Sequence, residues 1–74
     1  MIKIGIVGSE GFIGKNLVKE LARNSEFIIY CYGKGEQSRN NHKNYSQINL
    51  SDIEENKKKF KEIDIVYYLA SSSI

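Results

Sequence analysis

The sequence predicts an α/β protein, built as the first half of a doubly wound parallel sheet with strand order 3-2-1-4, in one domain over residues 1–74. Three observations predict this class. A short apolar run leads directly into a turn with three evenly spaced glycines. An amphipathic stretch follows that turn, and three further strand-like segments come after it in the order β-α-β-loop-β-α-β. Right-handed crossovers between parallel strands then give the order 3-2-1-4.

The first strand and helix have the clearest patterns. The run Ile2–Val7 is almost continuously apolar, which is typical of a parallel strand covered on both faces. After the glycine turn, Ile13, Leu17 and Leu21 recur every four residues and therefore share one helix face. The pattern predicts a helix that begins at residue 12 and ends near Asn24.

The other strands are marked by β-branched and aromatic residues between polar segments. The loop between the second and third strands is rich in Asn, Lys, Gly and Ser, with at most a helical turn. The predicted bounds are 27–32, about 45–49 and 64–70 for the strands, and 33–44 for the loop.

A second helix is predicted between the third and fourth strands. Ser51 and Glu54 have the spacing of a capping box, in which both side chains accept hydrogen bonds from free backbone N–H groups. The helix is expected to run to about Glu62, with Ile53 and Phe60 on its buried side.

Composition argues against several functional classes. A net charge of +2, from basic residues that are scattered or mixed with acids, does not indicate a nucleic-acid partner. The single cysteine, Cys31, cannot form an internal disulfide and is expected to be a buried, unreactive thiol. We expect no membrane span, because no apolar run approaches about 18 residues. We also expect no signal peptide and no metal site. The expected compartment is the cytoplasm.

The glycine turn at residues 8–14 carries the chemistry. A bound pyrophosphate needs backbone N–H donors close by, and glycines remove the Cβ atoms that would hold it away. The N-terminus of the following helix adds free N–H groups and a partial positive charge. We expect Gly8 to make the turn, Gly11 to allow the close approach and Gly14 to let the helix pack on the strand. The amides of Phe12 and Ile13 are the expected phosphate donors.

A plain strand-to-helix turn and a P-loop are the two alternatives to a dinucleotide-binding turn. A plain strand-to-helix turn would also contain glycines, but three at this spacing and in this context favour a binding turn. A P-loop has four residues between its glycines and a Ser or Thr after its Lys, whereas Asn16 follows Lys15 here.

The segment Gly-x-x-Gly-Phe-Ile-Gly at 8–14 resembles the fingerprint of the extended short-chain dehydrogenase/reductases, the NAD-dependent epimerase/dehydratase group. Residues 49–52, Asn-Leu-Ser-Asp, resemble the segment of that family that holds the adenine. Residues 64–71 resemble its fourth strand, whose end passes beside the ribose and nicotinamide. The resemblance implies a Rossmann-like fold and covers the whole chain, as an N-terminal fragment of a usual member. It implies cofactor-binding roles for Asn49, Leu50, Leu69, Ala70 and Ser71.

The choice of cofactor stays open in the sequence. NAD-binding members place an acid at the end of the second strand, where it accepts hydrogen bonds from the adenosine ribose. Tyr32 holds that position here and cannot chelate a diol, whereas Lys34 or Arg39 could meet a 2′-phosphate. Both could equally be ordinary loop cations. Asn49 replaces the usual adenine-contacting Asp, and its amide can still bind adenine. The prediction is NAD or NADP, with a slight preference for NADP.

No catalytic residue is predicted in this chain. The family's Tyr-x-x-x-Lys pair lies on a helix, about 6 Å apart. Tyr30 and Lys34 match formally, but a strand separates residues at this spacing by about 13 Å. Serines 71–73 come too early for the family's catalytic Ser. We expect His42 to be exposed in its polar loop and Tyr68 to serve packing.

The resemblance implies the NAD(P)-binding segment of a nucleotide-sugar epimerase, dehydratase or reductase, with hydride transfer in the whole enzyme and no activity in the segment itself. The alternatives are a non-enzymatic NAD(P)-sensing domain and a truncated reading frame without function. An apolar fourth strand at the sheet edge would also favour self-association or marginal stability.

Overall fold

The strand-like segments form one four-stranded sheet in the computed structural model, which describes residues 1–69. The order of its strands is β3-β2-β1-β4 and every neighbouring pair is parallel. This confirms the predicted fold class. The elements are β1 (Ile2–Val7), α1 (Phe12–Leu21), β2 (Phe27–Gly33), β3 (Tyr45–Gln47), α2 (Ile53–Lys59) and β4 (Ile65–Tyr68).

The register brings the carboxyl ends of the two central strands and of β4 to the same edge of the sheet. Val7, the last residue of β1, pairs with Tyr32 of β2 on one side and with Tyr68 of β4 on the other. The turn after β1 therefore starts between the ends of its two neighbours. This is the edge at which open parallel sheets bind ligands.

Side chains that alternate along the strands build two separate clusters of the core. The first cluster packs against the partly buried Leu17 and Leu21 of α1, and the second packs against Phe60. The thiol of Cys31 belongs to the first cluster, and burial raises its pKa to about 11, as expected for an unreactive cysteine. The buried members are Ile4, Ile6, Val18 and Cys31 in the first cluster, and Val7, Tyr32 and Ile48 in the second.

Helix α1 is shorter than predicted. It ends at Leu21 because the backbone N–H groups of Arg23 and Asn24 bond to carbonyls three residues back, which tightens the chain out of the α-helix. Ile13, which the pattern places on the packed face, is 69% exposed. Val18 is the buried apolar residue of the helix instead.

Helix α2 begins with a different cap from the one predicted. Asp52 is the N-cap residue, and its Oδ1 accepts a hydrogen bond from the N–H of Glu55 at 3.1 Å. The expected cap at Ser51 is therefore wrong by one residue. Asp and Ser are comparably good caps, so residue type alone did not distinguish the two positions. β3 and α2 both end earlier than predicted, at Gln47 and Lys59.

The predicted buried face of α2 is only half right. Phe60 packs edge-on against Tyr32, with ring centroids 5.1 Å apart and an interplanar angle of 90°. Ile53, by contrast, is 65% exposed. The helix is less than two full turns long, so its packed side is centred on Asn56, whose Nδ2 donates to the carbonyl of Asn49 at 3.1 Å.

Strand β4 is the outer strand on its side of the described sheet. Its apolar side chains and Leu69 are between 36% and 57% exposed, apart from the half-buried Tyr67. Tyr68 is the most exposed of them, so the expected packing role for this side chain is wrong. Neither helix within residues 1–69 has the length and apolar character needed to cross a membrane.

Replacing Gly14 by Ala should destabilise the fold by about 3 kcal/mol, because a Cβ there would overlap the carbonyl oxygen of Gly8 and lie 2.8 Å from the Cα of Ser9. Helix propensity alone predicts the opposite sign, a gain of about 1 kcal/mol. Urea unfolding followed by circular dichroism measures the change.

Gly11→Ala is the matched control for that substitution. A Cβ at Gly11 meets only the carbonyl oxygen of Gly8, at an ordinary 3.7 Å. The backbone φ of −79° suits alanine, so we expect a loss below about 1 kcal/mol. Equal stability losses in the two variants would contradict the close contact.

Candidate functional site

A cavity of about 540 Å³ opens at the carboxyl ends of the strands, within the usual range for small-molecule sites. Its walls come from the turn after β1, the loop after β2 and the segments after β3 and β4. The apolar lining residues are Val7, Tyr45, Ile48, Leu50 and Leu69, and the others are Gly8, Glu10, Gly11, Gly33, Lys34, Gly35, Gln37 and Arg39.

The glycine turn has the geometry that the sequence predicts. Gly8 has a φ of 95°, in the region that favours glycine, and its N–H donates to the carbonyl of Tyr32 at 2.9 Å. Gly11 is the N-cap of α1, so no side chain caps the helix, and no acidic residue lies in its first turn. The N–H groups at the start of α1 are thus left without a side-chain cap.

Phe12 and Ile13 begin α1, and both side chains are exposed and lie outside the cavity lining. The prediction for these two residues concerns only their backbone N–H groups, which belong to the first turn of the helix. Gly14 is buried against the backbone of Gly8 and Ser9. The missing Cβ of Gly14 therefore lets α1 contact the glycine turn itself.

The end of β2 differs from expectation. The side chain of Tyr32 is only 5% exposed and packs in the core with Phe60, so it does not reach the cavity. Gly33 lines the cavity instead, and a Cβ there would lie 2.7 Å from Oη of Tyr45 and 3.2 Å from Cγ of Glu10. A side chain at this position would therefore require Tyr45 to shift. The sequence prediction placed Tyr32 here by its distance along the chain from Gly14. That distance does not show which residue at the end of β2 faces the cavity.

Four other predicted residues line the cavity as a group: Lys34, Arg39, Leu50 and Leu69. Asn49 does not, since its side-chain oxygen accepts from the N–H of Ser51 at 3.0 Å. Ala70 and Ser71 lie outside the described residues. Tyr30 lies within β2 and Lys34 just beyond it, so this formal Tyr-x-x-x-Lys match is not on a helix.

Glu10 is the site residue that the sequence reasoning missed. Its carboxylate, in the middle of the glycine turn, accepts hydrogen bonds from Ser38 Oγ at 2.8 Å and from the N–H of Asn40 at 3.1 Å. The other oxygen accepts from Ser9 Oγ at 2.7 Å and lies 2.9 Å from Nδ1 of His42. The available signal was the acid itself, because a carboxylate is unfavourable in a turn that is predicted to bind anions.

His42 is not exposed, contrary to the prediction. Its side chain is 12% exposed and that of Glu10 is 9% exposed. An ionised carboxylate can only accept hydrogen bonds, so the Nδ1 of His42 carries the proton in this contact. The polar loop is folded onto the turn by these bonds.

The electrostatics of Glu10 follow from the same contacts. Burial by itself raises the pKa of this carboxyl, but the hydrogen bonds from Ser9, Ser38 and the backbone of Asn40 outweigh it. The pKa is lowered from 4.5 to about 2, so Glu10 is ionised at neutral pH. Within residues 1–69, no group of three or more His, Cys, Asp or Glu side chains could hold a metal ion.

A parallel sheet of this order, with a glycine turn and an uncapped helix at its carboxyl edge, defines the class of dinucleotide-binding α/β proteins. A model of the NAD dependent epimerase/dehydratase family matches residues 4–74. The chain belongs to this family, which confirms the resemblance seen in its three sequence motifs.

The proteins to which the chain is similar include a reductase and a dehydratase. The N-acetyl-gamma-glutamyl-phosphate reductase of Clostridium novyi (strain NT) is 34% identical over an alignment that covers 90% of this chain and 21% of the relative. The structure of dTDP-glucose 4,6-dehydratase from Bacillus anthracis strain Ames, in complex with NAD, superposes with a TM-score of 0.71 at 24% identity. That match covers 97% of this chain and 27% of the dehydratase. The chain thus spans about a fifth to a quarter of their lengths.

The depressed pKa of Glu10 predicts an acid-sensitive contribution to stability. A folded-state pKa of about 2, below the ordinary 4.5, means that ionised Glu10 stabilises the fold above about pH 4.5. This stability is lost as the pH falls towards 2. Between about pH 6 and about pH 2.5, we expect wild type to lose on the order of 1–2 kcal/mol more than Glu10→Gln in urea unfolding.

Glu36→Gln is the control for this comparison, because Glu36 is an exposed carboxylate of the same loop. It should follow the wild-type pH dependence. Parallel pH curves for wild type and Glu10→Gln would show that the Glu10 hydrogen bonds do not stabilise the fold.

Proposed function

We propose that this chain is the NAD(P)-binding segment of an enzyme of the epimerase/dehydratase type that acts on a nucleotide sugar. In the whole protein, hydride transfer between the nicotinamide and a sugar carbon would start the reaction, and the segment alone would be inactive. The observation that carries the proposal is the cavity at the strand ends, bounded by the glycine turn and the uncapped start of α1. Residues 1–74 would form the N-terminal part of the dinucleotide-binding domain, and its expected compartment is the cytoplasm.

The residues of the cavity fit a dinucleotide. Gly8 and Gly11 leave space for a pyrophosphate, which would bind the free N–H groups of Phe12 and Ile13. Leu50, near the adenine-binding motif, and Leu69, after β4, give the cavity two apolar walls suited to the flat rings. Asn49, Ala70 and Ser71 keep their proposed cofactor roles from the family motifs. When bound, the nicotinamide supplies a hydride acceptor or donor.

A modest preference for NADP is part of the proposal. Lys34 and Arg39 line the cavity on the side of the β2 end, where a 2′-phosphate would gain from positive charge. Gly33 leaves that strand end without an acidic side chain to bind a ribose diol. Tyr32 would act there only through its backbone, since its side chain lies in the core.

The nature of the substrate rests on the family rather than on the site. One similar protein is named for a nucleotide sugar and the other for N-acetyl-gamma-glutamyl phosphate. A non-enzymatic NAD(P)-sensing domain on the same fold is the second candidate. A Tyr-x-x-x-Lys pair on a helix of the rest of the protein would favour the enzyme.

Titration of the chain with NADP, NADPH, NAD and NADH, followed by calorimetry, tests the proposal. We expect binding of all four, with NADP and NADPH bound more tightly. Gly11→Ala should weaken binding of each by about tenfold or more without unfolding the chain, because its Cβ would hold the pyrophosphate away from the turn.

Two outcomes of this titration would contradict the proposal. Failure of every dinucleotide to bind at millimolar concentration would favour a chain without retained function. Clearly tighter binding of NAD would overturn the preference for NADP.

The exposed edge of β4 predicts association between copies of the chain. Among residues 1–69 this strand is paired only with β1, and Tyr68 is exposed beside Val66. We expect concentration-dependent oligomers in sedimentation equilibrium, and Tyr68→Lys should reduce them because a charge on an edge strand opposes pairing.

Ile53→Lys is the matched control, since it places the same charge at an exposed apolar residue of α2. It should leave the association unchanged. A wild-type chain that stays monomeric and unfolds cooperatively would rule out this edge as an interface.

A further inference from the structure

The carboxylate of Glu10 joins two parts of the site that are far apart in sequence. Glu10 belongs to the glycine turn, and its Oε1 accepts hydrogen bonds from Ser38 Oγ at 2.8 Å and from the N–H of Asn40 at 3.1 Å. Ser38 Oγ in turn accepts from the N–H of His42 at 3.0 Å. One carboxylate thus holds the loop residues on both sides of Arg39.

Glu10 itself is poorly suited to contact a cofactor. Its oxygens are already occupied by Ser9, Ser38, Asn40 and His42, and its side chain is only 9% exposed. A negative charge in this turn also repels a phosphate bound close to it. A role in binding must therefore act through a neighbouring residue.

The neighbour is Arg39, which lines the cavity while the residues on either side of it are bound to Glu10. Arg39 is an exposed residue on a polar loop. Lys34, the other lining cation, has a different anchor, since its carbonyl accepts from Nε2 of Gln47 in β3 at 2.8 Å. The two cations are thus fixed independently, and only one depends on Glu10.

We propose that Glu10 is a positioning residue that fixes Arg39 at the cavity and thereby sets the preference for a dinucleotide with a 2′-phosphate. This role rests on the proposed function. It links the turn that binds the pyrophosphate to the loop that recognises the ribose substituent.

Simple electrostatics predicts the opposite sign for the loss of this carboxylate. Removing a negative charge close to the cavity should tighten the binding of an additional phosphate. Positioning predicts weaker binding, because glutamine keeps only one of the two acceptor oxygens and none of the charge. The hydrogen bonds that hold loop residues 38–42 then weaken, and Arg39 must be ordered when the ligand binds. The sign of the change therefore separates the two explanations.

The experiment measures NADP and NAD affinities for wild type, Glu10→Gln, Arg39→Ala and the double variant. We expect Glu10→Gln to weaken NADP binding by about tenfold, as for a lost charge-assisted hydrogen bond, and to change NAD binding by no more than about twofold. The double variant should bind NADP no more weakly than Arg39→Ala, because both substitutions remove the same contact.

Glu36→Gln is the charge-matched control, since it removes an exposed carboxylate of the same loop that does not line the cavity. It should not weaken NADP binding. Ser38→Ala is a second variant that keeps the Glu10 charge but removes a donor to it, and it should weaken NADP in the same direction. Unchanged or tighter NADP binding in folded Glu10→Gln or Ser38→Ala would overturn the proposal, as would additive effects in the double variant.

Amide hydrogen exchange in the absence of cofactor tests the positioning separately. Glu10→Gln should speed exchange at Asn40 and His42 relative to Glu36→Gln, and equal exchange rates would overturn the anchoring. If wild type binds neither dinucleotide, the proposed function fails and the preference for a 2′-phosphate fails with it. Exchange would still report whether Glu10 holds the loop.

Discussion

The contact between the backbone of Gly14 and the turn at Gly8 and Ser9 is the constraint on which the rest of the structure depends. No side-chain atom fits between these segments. Helix α1 can therefore start directly after β1, with its uncapped N–H groups beside the cavity. The same close start places Val18 against the strand residues of the first core cluster. Core packing and the binding turn thus share one steric requirement.

Charge imposes the second constraint on the site. A buried carboxylate without partners would be unfavourable, and Glu10 is instead surrounded by hydrogen-bond donors of its own turn and of the 38–42 loop. These donors offset the cost of burial and keep the acid ionised. The loop after β2 is consequently part of the same unit as the glycine turn. The positive side chains that face the cavity are carried by this loop.

Packing at the end of β2 determines which side chains can reach the cavity there. Tyr45 Oη donates to the carbonyl of Gly35 at 2.7 Å and takes up the space that a side chain at Gly33 would need. Tyr32, the neighbouring residue, turns to the opposite face and completes the core with Phe60. Neither residue can present a carboxylate to a ribose, and basic groups from the loop are left on this side of the cavity.

Local pattern in the sequence determined the strand order, the bounds of β1 and the position of the glycine turn, because apolar periodicity and glycine spacing act over a few residues. It also placed Lys34, Arg39, Leu50 and Leu69 at the site. Only the tertiary structure decided that Tyr32 faces the core, that Ile53 is exposed and that Glu10 and His42 meet across thirty-two residues of chain. These outcomes depend on which face a strand end presents and on how a polar loop folds back, and no short-range pattern specifies either.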